Sequence, residues 1–375
     1  MRVLHVHSGN LYGGVETIMV TLARHRDLCP EMEPEFALCF EGRLSEELKS
    51  AGVSVYPLGN VKVSRPASVL RSRRALNALI KREHFDAVVC HSAWTQAIFG
   101  PVARGARLPL VFWLHNRARG RHWTERWARM TEPDLILCVS RDTAKTSSNI
   151  YPRVELEKEV FYSPVDLPKS NFTDGDRAAV RAELGAQEDA TVIIQVSRME
   201  PWKGHHLHLE ALARLRDLPD WVCWQVGGAE RPEEVAYFEE LKQAAARLGI
   251  ADRVRFLGRR SDVPRLLAAS DIFCQPNNDT EGFSIAFVEA FYARLPIVTS
   301  AIGGALEVVD DTCGFLLPVN DADALAGSLR VLVSDRSLRE RLGASGHEKV
   351  IKLCDPAAQI NKLNKIFTGV VTQKA

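Results

Sequence analysis

Residues 271–299 read Asp-Ile-Phe-Cys-Gln-Pro-Asn-Asn-Asp-Thr-Glu-Gly-Phe-Ser-Ile-Ala-Phe-Val-Glu-Ala-Phe-Tyr-Ala-Arg-Leu-Pro-Ile-Val-Thr. The stretch begins with a strand-like apolar run, passes through a polar loop that contains a glycine, continues as a helix and ends in a second apolar run. A strand, a helix and a further strand in this order predict a parallel sheet covered by helices. The loop then lies at the carboxyl end of a strand, where ligands bind in open α/β folds.

The same alternation runs through the chain in two series. The predicted strands of the first series are Val3–Val6, Phe36–Phe40, Val53–Pro57, Ala87–Cys90, Leu108–Leu114, Leu135–Val139 and Val160–Tyr162, and those of the second are Thr191–Val196, Val222–Val226, Val254–Leu257, Asp271–Gln275, Ile297–Thr299 and Gly314–Leu317. Residues 163–175, between the two series, are rich in proline and polar side chains. We therefore predict an α/β chain of two Rossmann-like domains, 1–168 and 169–355, with a deep cleft between them and a C-terminal helix over 356–375 that crosses back onto the first.

Two glutamates frame the loop and helix of the opening stretch. Ser284 is a suitable N-cap for a helix running toward Arg294, and the first-turn amides of such a helix favour an anion such as phosphate. Glu281, before the helix, can accept hydrogen bonds from sugar hydroxyls, and Glu289, on its second turn, from the two hydroxyls of a ribose. This pattern indicates a sugar-nucleotide pocket. The alternatives are a capped helix with one exposed carboxylate and, less favoured because Glu289 lies on the second turn, a hydrolase acid–base pair.

Two further loops at predicted strand ends can bind a phosphate. After the first strand, Gly13 and Gly14 precede a helix predicted from Thr17, so their amides can approach a ligand closely; a tight turn without a ligand is the alternative. The loop is neither G-x-G-x-x-G nor a Walker sequence, which disfavours dinucleotide and ATP binding. Arg198 and Lys203 share one loop after the first strand of the second series and can both reach a diphosphate. The alternative is that both are solvated surface charges.

His115 follows the predicted strand Leu108–Leu114 directly and is followed by Asn116 and Arg117. A histidine at a strand tip can hydrogen-bond a substrate hydroxyl. The alternative is a histidine whose partners are purely structural.

Composition and charge narrow the class of protein. The chain has 375 residues, is 46% hydrophobic and 25% charged, and carries a formal net charge of +1. These values are ordinary for a globular protein of two domains and imply no general attraction to polyanions. The eight cysteines have no C-x-x-C spacing and the amino terminus has no signal-peptide pattern, so we expect buried thiols and a cytoplasmic chain.

Two other charged patterns bear on metals and partners. Asp321-Ala322-Asp323 matches the Asp-x-Asp pattern of metal-using transferases, but it opens a predicted helix, where aspartate is favoured as a cap, so we predict no required metal. Two basic clusters lie in the first domain, namely Arg65, Arg71, Arg73, Arg74, Lys81 and Arg82, then Arg117, Arg119, Arg121, Arg126 and Arg129 with Trp123 and Trp127. Such clusters either bind anionic lipid head groups or are solvated faces. No nucleic-acid recognition motif accompanies them.

In order and spacing, these motifs resemble those of the retaining glycosyltransferases of GT-B fold, in glycosyltransferase family four, the group one glycosyl transferases. The resemblance covers nearly the whole chain and rests on Gly13-Gly14-Val15-Glu16, His115, Ser197-Arg198 through Lys203-Gly204, Phe256-Leu257-Gly258, Glu281 to Glu289, Gly303-Gly304 and Glu307. Ser163-Pro164-Val165-Asp166 departs from the Asn-Gly-Val-Asp that the family often has before the interdomain linker.

The resemblance implies a role for each candidate residue. The catalytic candidates are Arg198 and Lys203, which bind the donor diphosphate, Glu281, which binds the transferred sugar, and His115, which lies beside that sugar. The implied donor-binding residues are Gly13 and Gly14 on the diphosphate, Gly282, Phe283, Ser284, Ile285 and Ala286 on the sugar and phosphate, Glu289 on the ribose, and Arg259 and Arg260 near the base.

The implied reaction moves a hexose from a nucleoside-diphosphate sugar with retention at the anomeric carbon, and it uses no metal and no further cofactor. UDP-glucose is the first donor expectation and GDP-mannose the second. The expected acceptor is a saccharide or a lipid-linked sugar of polysaccharide or glycoconjugate biosynthesis, with peripheral contact at the inner face of the membrane as a further expectation. Two alternatives stay open, a UDP-sugar epimerase of the same fold and a non-catalytic nucleotide-sugar-binding protein.

Overall fold

The computed structural model describes residues 1–10, 12–166, 172–229 and 231–374. The chain divides into two compact units. Unit 1 comprises Met1–Asp166 and Cys354–Ala375, and unit 2 comprises Leu167–Leu353. The predicted boundary between residues 168 and 169 lies outside the described residues.

Unit 1 is built on a parallel sheet, which has seven strands among the described residues, in the order β3-β2-β1-β4-β5-β6-β7. The strands are β1 Arg2–His7, β2 Glu33–Leu38, β3 Val55–Pro57, β4 Ala87–Cys90, β5 Leu110–Leu114, β6 Leu135–Cys138 and β7 Lys158–Val160. The helices between them are α1 Gly14–Arg24, α2 Arg43–Ser50, α3 Pro66–Glu83, α4 Ala93–Gly105, α5 Trp123–Ala128 and α6 Arg141–Ser147. Strands β4, β5 and β6 are buried along their whole length, as continuous apolar runs in a helix-covered parallel sheet must be.

Unit 2 repeats this architecture with a parallel sheet of six strands, counted over the described residues, in the order β10-β9-β8-β11-β12-β13. The strands are β8 Thr191–Val196, β9 Trp221–Val226, β10 Val254–Gly258, β11 Ile272–Gln275, β12 Ile297–Ser300 and β13 Gly314–Leu317. The helices are α7 Asp174–Glu183, α8 His205–Ala213, α9 Pro232–Arg247, α10 Val263–Ala268, α11 Ile285–Tyr292, α12 Ala305–Val308, α13 Ala322–Ser334 and α14 Arg336–Cys354. The two-sheet α/β prediction is confirmed.

Two predicted boundaries are wrong for identifiable reasons. The last strand of unit 1 is Lys158–Val160 rather than Val160–Tyr162. It is an edge strand that pairs with β6 on one side, so charged residues replace the apolar run on which the prediction relied. The first helix begins at Gly14 rather than Thr17, because the helical hydrogen bonds start with the Thr17 amide donating to the Gly13 carbonyl at 3.0 Å.

The C-terminal helix α15, Pro356–Lys374, belongs to unit 1. It buries Ile360, Leu363, Phe367 and Val370. At its end, Lys374 Nζ lies 2.6 Å from the Asp134 carboxylate and 3.0 Å from the Leu108 carbonyl. The last helix is therefore fastened to the sheet of unit 1 by apolar packing and by an ion pair.

The cysteines agree with the expectation of buried thiols. All eight cysteines are buried and free. Across the described parts of the chain, the helices lack the combined length and apolar character that crossing a membrane requires.

Candidate functional site

The strand order locates the candidate site in unit 2. Strand β8 lies between β9 and β11, so the connections leaving β8 and β11 run in opposite directions along the sheet. In open parallel sheets, ligands bind outside the carboxyl ends of the strands at such a switch point. The loop after β8 carries Arg198 and Lys203, and the loop after β11 carries Glu281, so both predicted loops start at this point.

Lys203 and Glu281 form an ion pair across the two loops. Lys203 Nζ is 2.6 Å from Glu281 Oε1, and the two side chains are only 10% and 20% exposed. The ammonium also lies 4.0 Å from the centroid of the Trp202 ring. The other carboxylate oxygen, Oε2, accepts hydrogen bonds from Asn277 Nδ2 at 3.0 Å and Gln275 Nε2 at 3.2 Å. Glu281 is thus held by three donors in one orientation.

The position of Lys203 depends on the glycine that follows it. Gly204 has φ of 73°, in the left-handed region, and a Cβ on it would lie 1.8 Å from the Pro276 carbonyl oxygen. Its backbone therefore packs directly against the loop after β11. The Lys203 carbonyl also accepts a hydrogen bond of 2.9 Å from Gln195 Nε2 on β8. These contacts aim the ammonium at Glu281.

Arg198 lies on the same loop as Lys203 but has a different partner. Its guanidinium pairs with Glu200. The Glu200 carboxylate also accepts hydrogen bonds from Trp202 Nε1 at 2.9 Å and from Arg231 Nη2 at 3.2 Å. Because the Arg198 side chain is 42% exposed, an arriving anion can compete with Glu200 for it at low desolvation cost.

The start of α11 presents backbone amides. Ser284 occupies the predicted N-cap position, and its hydroxyl makes no capping hydrogen bond. Gly304 packs against the turn before Ser284. Its amide donates to the Glu281 carbonyl at 2.9 Å, and a Cβ on Gly304 would lie 2.1 Å from the Gly282 carbonyl oxygen. The amides of Ile285 and Ala286, in the first turn, have no side-chain cap and can bind an anion.

Glu289 lies one turn further along α11 and is half-buried. Burial raises the pKa of its carboxyl group to about 7. Within the described residues, no group donates a hydrogen bond to this carboxylate. An acid of this kind, without a partner and near its own titration point, suits a ligand that brings hydroxyl donors with it.

The two arginines predicted near the base differ in their surroundings. Arg260 is held by Asp262 at 2.8 Å and by Glu183 at 3.1 Å. Arg259 packs its aliphatic stem against Gly228, where an added Cβ would lie 3.2 Å from the Arg259 Cβ. Arg260 is therefore engaged in structural ion pairs, and the position of both arginines near a base stays a prediction.

In unit 1, the predicted glycine loop leads into α1. The Gly13 amide donates to Glu16 Oε2 at 2.8 Å, and Glu16 Oε1 lies 2.7 Å from His7 Nε2. Gly14 is the first residue of the helix and is exposed. A ligand anion at this helix end would meet the Gly14 amide, whereas the Gly13 amide already has an internal acceptor.

His115 follows β5 and is buried, with 8% exposure. Its Nε2 lies 3.1 Å from His91 Nδ1, and the two rings stack with centroids 5.3 Å apart. Burial lowers the pKa of His115 to about 3, so its imidazole is neutral. The sequence interpretation missed His91, although it directly follows β4 and the strand-end criterion used for His115 applies to it equally. The same criterion would have found Asn277 after β11.

Two other predictions concern metals and basic residues. Asp321 caps α13, since its carboxylate accepts a hydrogen bond of 2.8 Å from the Ala324 amide, and Asp323 pairs with Arg214 at 2.8 Å. In the described ranges, no group of three or more His, Cys, Asp or Glu residues could hold a metal ion.

In the basic clusters, Arg73 and Arg129 donate to backbone carbonyls of unit 1, which gives these two a structural role.

Unit 1 also has a cavity of about 500 Å³ beside the ends of β2 and β3. Polar side chains in its wall include Glu41, Ser45, Lys49 and Asn60. None of the predicted site residues lines it.

Two helix-covered parallel sheets in Rossmann order are the architecture of the GT-B fold. The fold is shared with Anabaena HepE, solved in complex with UDP and in complex with UDP-glucose, at a TM-score of 0.85, 24% identity and coverage of 98% of this chain and 100% of that one. A glycosyltransferase from Rickettsia africae matches with a TM-score of 0.87, 21% identity and coverage of 99% and 98%.

Sequence comparison gives the family. Residues 12–168 match the model for glycosyltransferase family 4, and residues 176–349 match the model for glycosyl transferases group 1. A D-inositol 3-phosphate glycosyltransferase of Mycobacterium sp. (strain KMS) is 30% identical over 314 residues, which are 79% of this chain and 69% of that protein. The lipopolysaccharide core biosynthesis glycosyltransferase LpsE of Rhizobium meliloti is 33% identical over 185 residues, which are 48% of this chain and 52% of LpsE. The chain belongs to glycosyltransferase family 4 and is a glycosyltransferase.

Proposed function

We propose that this glycosyltransferase moves a hexose from a UDP-sugar, with UDP-glucose as the first donor, to a saccharide or lipid-linked acceptor with retention at the anomeric carbon. The observation that carries the proposal is the Lys203–Glu281 pair beside the start of α11, with Glu289 one turn along the same helix. The donor class is supported by HepE, whose structures contain UDP and UDP-glucose. The acceptor class is supported by LpsE, which acts in lipopolysaccharide core biosynthesis.

The ion pair suits the departure of a diphosphate. The Lys203 ammonium has three donors and uses one on Glu281, so it can hold the carboxylate and a phosphate oxygen together. The amides at the start of α11 and the partly exposed Arg198 add positive potential for the same group. As the sugar–phosphate bond breaks, these fixed donors stabilise the charge that accumulates on the leaving diphosphate.

Glu281 and Glu289 bind hydroxyl groups rather than perform acid–base chemistry. Glu281 is held at both oxygens by Lys203, Asn277 and Gln275, and its remaining lone pairs can accept from sugar hydroxyls. Glu289 has no such partner among the described residues and can accept from the ribose diol when it is ionised. No side chain needs to act as a covalent nucleophile, because acceptor and leaving group can meet on one face of an oxocarbenium-like sugar.

A ligand screen tests the donor assignment. Melting temperatures are measured with UDP, GDP, ADP and their sugars, since a ligand that binds only the folded protein raises its apparent stability. We expect the largest rise with UDP-glucose and a reduced rise in Glu289→Ala. The exposed Glu348, on α14, offers the control variant Glu348→Ala, which should keep the full rise. A larger rise with GDP-mannose would replace the donor, and no rise with any nucleotide would contradict the proposal.

Product analysis separates transfer from the two alternatives. Labelled UDP-glucose is incubated with and without a panel of saccharide and lipid-linked acceptors. Transfer requires the acceptor, an epimerase converts the sugar without it, and a binding protein leaves the donor unchanged in both conditions. Retention is checked by the anomeric configuration of the purified product.

Peripheral membrane contact is part of the proposal and rests on the surface around α5. Trp123 is 49% exposed and Met130 is 80% exposed, and Arg121 and Arg126 are exposed beside them. Exposed apolar residues among arginines are typical of surfaces that bind anionic lipids. Cosedimentation with vesicles of anionic phospholipid should fall in Trp123→Ala, and binding equal to that of the unchanged protein would remove this part of the proposal.

The eight free, buried cysteines support a reducing compartment such as the cytoplasm.

A further inference from the structure

Three histidines of unit 1 form a hydrogen-bonded chain that runs inward from His115. His115 Nε2 lies 3.1 Å from His91 Nδ1, and His91 Nε2 lies 2.8 Å from His5 Nδ1. His5 is on β1, His91 follows β4 and His115 follows β5, and these three strands are neighbours in the sheet. The chain therefore crosses the switch point of unit 1.

All three rings are neutral. Burial lowers the pKa of His5 to about 3, that of His91 well below its ordinary value and that of His115 to about 3. A neutral imidazole carries one N–H donor and one bare acceptor nitrogen. Each of the two contacts needs one N–H donor, so both hydrogen bonds in the histidine chain run in the same direction. They run either outward, from His5 to His115, or inward, from His115 to His5.

The inner end of the chain decides between these two directions. His5 Nε2 is buried and has no hydrogen-bond partner among the described residues. The ring is surrounded by Phe36, Trp113 and Phe367, with centroids 5.4 to 6.5 Å away. If the protons pointed inward, His5 Nε2 would carry an orphaned N–H in this aromatic pocket, and orphaned buried N–H groups are rarer than under-used acceptors. The outward direction leaves only a bare nitrogen there.

We propose that His5 and His91 are positioning residues that hold His115 in the tautomer with a proton on Nδ1, so that His115 presents a hydrogen-bond donor to an oxygen of the substrate sugar. The outward chain uses Nδ1–H of His5 and Nδ1–H of His91 as donors and leaves Nδ1–H of His115 at its open end. Within the described residues, no protein group accepts from that atom. The assignment of the sugar as the acceptor of this hydrogen bond rests on the proposed function, whereas the tautomer does not.

The consequence is a fixed polarity at the sugar. With its tautomer locked, His115 accepts no proton from the sugar and cannot serve as a base near neutral pH. It binds a lone pair of a hydroxyl or ring oxygen instead. His115 then favours sugars that place an oxygen within reach of its Nδ1–H. A sugar with a hydrogen atom at that position would leave this buried donor unpaired.

The direct test is long-range ¹H–¹⁵N correlation spectroscopy of the full chain labelled at histidine, recorded without ligand at neutral pH. Single substitutions His5→Asn, His91→Gln and His115→Gln assign the signals. We expect a protonated Nδ1 and a bare Nε2 for all three residues. A protonated Nε2 on His115, or two tautomers in exchange, would overturn the proposal, and this spectrum does not depend on whether the donor has been identified correctly.

Two substitutions of His5 test its effect on catalysis. His5→Phe keeps an aromatic ring but removes the donor to His91, and we expect kcat/KM for the UDP-sugar to fall roughly fivefold, which is about 1 kcal/mol. His5→Asn can place an amide N–H where Nδ1 was and should restore most of that loss. Phe36→Leu, which removes a ring stacked on His5, is the control for packing alone and should change stability but neither kcat/KM nor the His115 tautomer.

The outcomes separate the two proposals. Outward tautomers together with a protein that transfers no sugar would refute the proposed function and leave the histidine assignment standing. Transfer of a hexose from a UDP-sugar together with an Nε2–H tautomer of His115 would do the reverse. Equal losses in His5→Phe, His5→Asn and Phe36→Leu would show that His5 acts only through packing and would overturn its positioning role.

Discussion

The carboxyl group of Glu289 gives the sharpest test of the site, because its own chemistry opposes folding. Its pKa is raised by burial from 4.5 to about 7. A carboxyl group with a raised folded-state pKa binds more protons in the folded than in the unfolded protein between those two values, so stability falls as pH rises through that window. At about 1.4 kcal/mol for each pH unit, ionising Glu289 costs the folded state about 3 kcal/mol at pH 8.

Replacing Glu289 by glutamine removes this cost, because the amide does not ionise. Glu289→Gln should match the unchanged protein in stability at pH 4.5 and exceed it increasingly up to pH 7, by up to about 3 kcal/mol from there on. The same substitution should weaken ligand binding by roughly 30-fold, since a charge-assisted hydrogen bond contributes about 2 kcal/mol. Stability and binding would thus change in opposite directions, as is common where a site is strained for function.

The assay is urea unfolding from pH 4.5 to pH 9, with the variant compared to the unchanged protein at each pH so that all other titrating groups cancel. Glu348→Gln on the exposed face of α14 is the matched control and should give no pH-dependent difference. Binding is measured with uridine, which has the ribose diol but no titrating phosphate, and its affinity for the unchanged protein should rise with pH toward 8. A stability difference between Glu289→Gln and the unchanged protein that does not vary with pH would refute the reasoning, as would undiminished uridine binding.

Three further predictions concern Lys203, Gly204 and Asp321. Lys203→Ala should lower kcat by roughly 10²–10³-fold, the range for losing one preorganised donor, in steady-state assays on protein shown to be folded; a smaller than tenfold effect would contradict its role at the diphosphate. Gly204→Ala should destabilise the protein by several kcal/mol, because the added Cβ would lie 1.8 Å from the Pro276 carbonyl oxygen. The control Gly327→Ala, within α13, adds a Cβ with no atom inside 4 Å and should stabilise the protein by about 0.5–1 kcal/mol. Equal melting temperatures of the two variants would refute the clash at Gly204. Asp321→Ala should lower the free energy of unfolding by about 1 kcal/mol, because a helix cap is lost, and should leave activity unchanged. Adding EDTA should also leave activity unchanged. Loss of turnover in either experiment would indicate a metal.

The sequence predicts most of the fold because buried parallel strands are continuous apolar runs. Ala87–Cys90 and Gly314–Leu317 were predicted to the residue, and Thr191–Val196 equally so. The prediction is wrong at β7, whose Lys158 and Glu159 are exposed at the sheet edge. There the free energy comes from backbone pairing with β6 rather than from apolar burial, and hydropathy carries no signal for it.

For the site, the sequence predicts which loops carry the functional residues more accurately than it predicts which side chains pair with each other. Lys203 and Glu281 follow neighbouring strands, so strand order alone brings them close. The pairing of Arg260 with Glu183 joins residues 77 positions apart through the packing of α7, and no local pattern encodes such a contact. The histidine chain was missed for a related reason, since His5 lies inside a strand and its contact with His91, directly after β4, forms only when the sheet does.

The C-terminal helix α15 sets an order of events during synthesis of the protein. Unit 2 is a continuous stretch of chain, so it can fold as soon as it leaves the ribosome. The sheet of unit 1 is translated before unit 2, yet Leu363 and Phe367 of the helix that packs on it are translated only after unit 2. Until residues 360–370 have been made, the nascent first half exposes to chaperones the apolar surface that this helix covers in the folded unit.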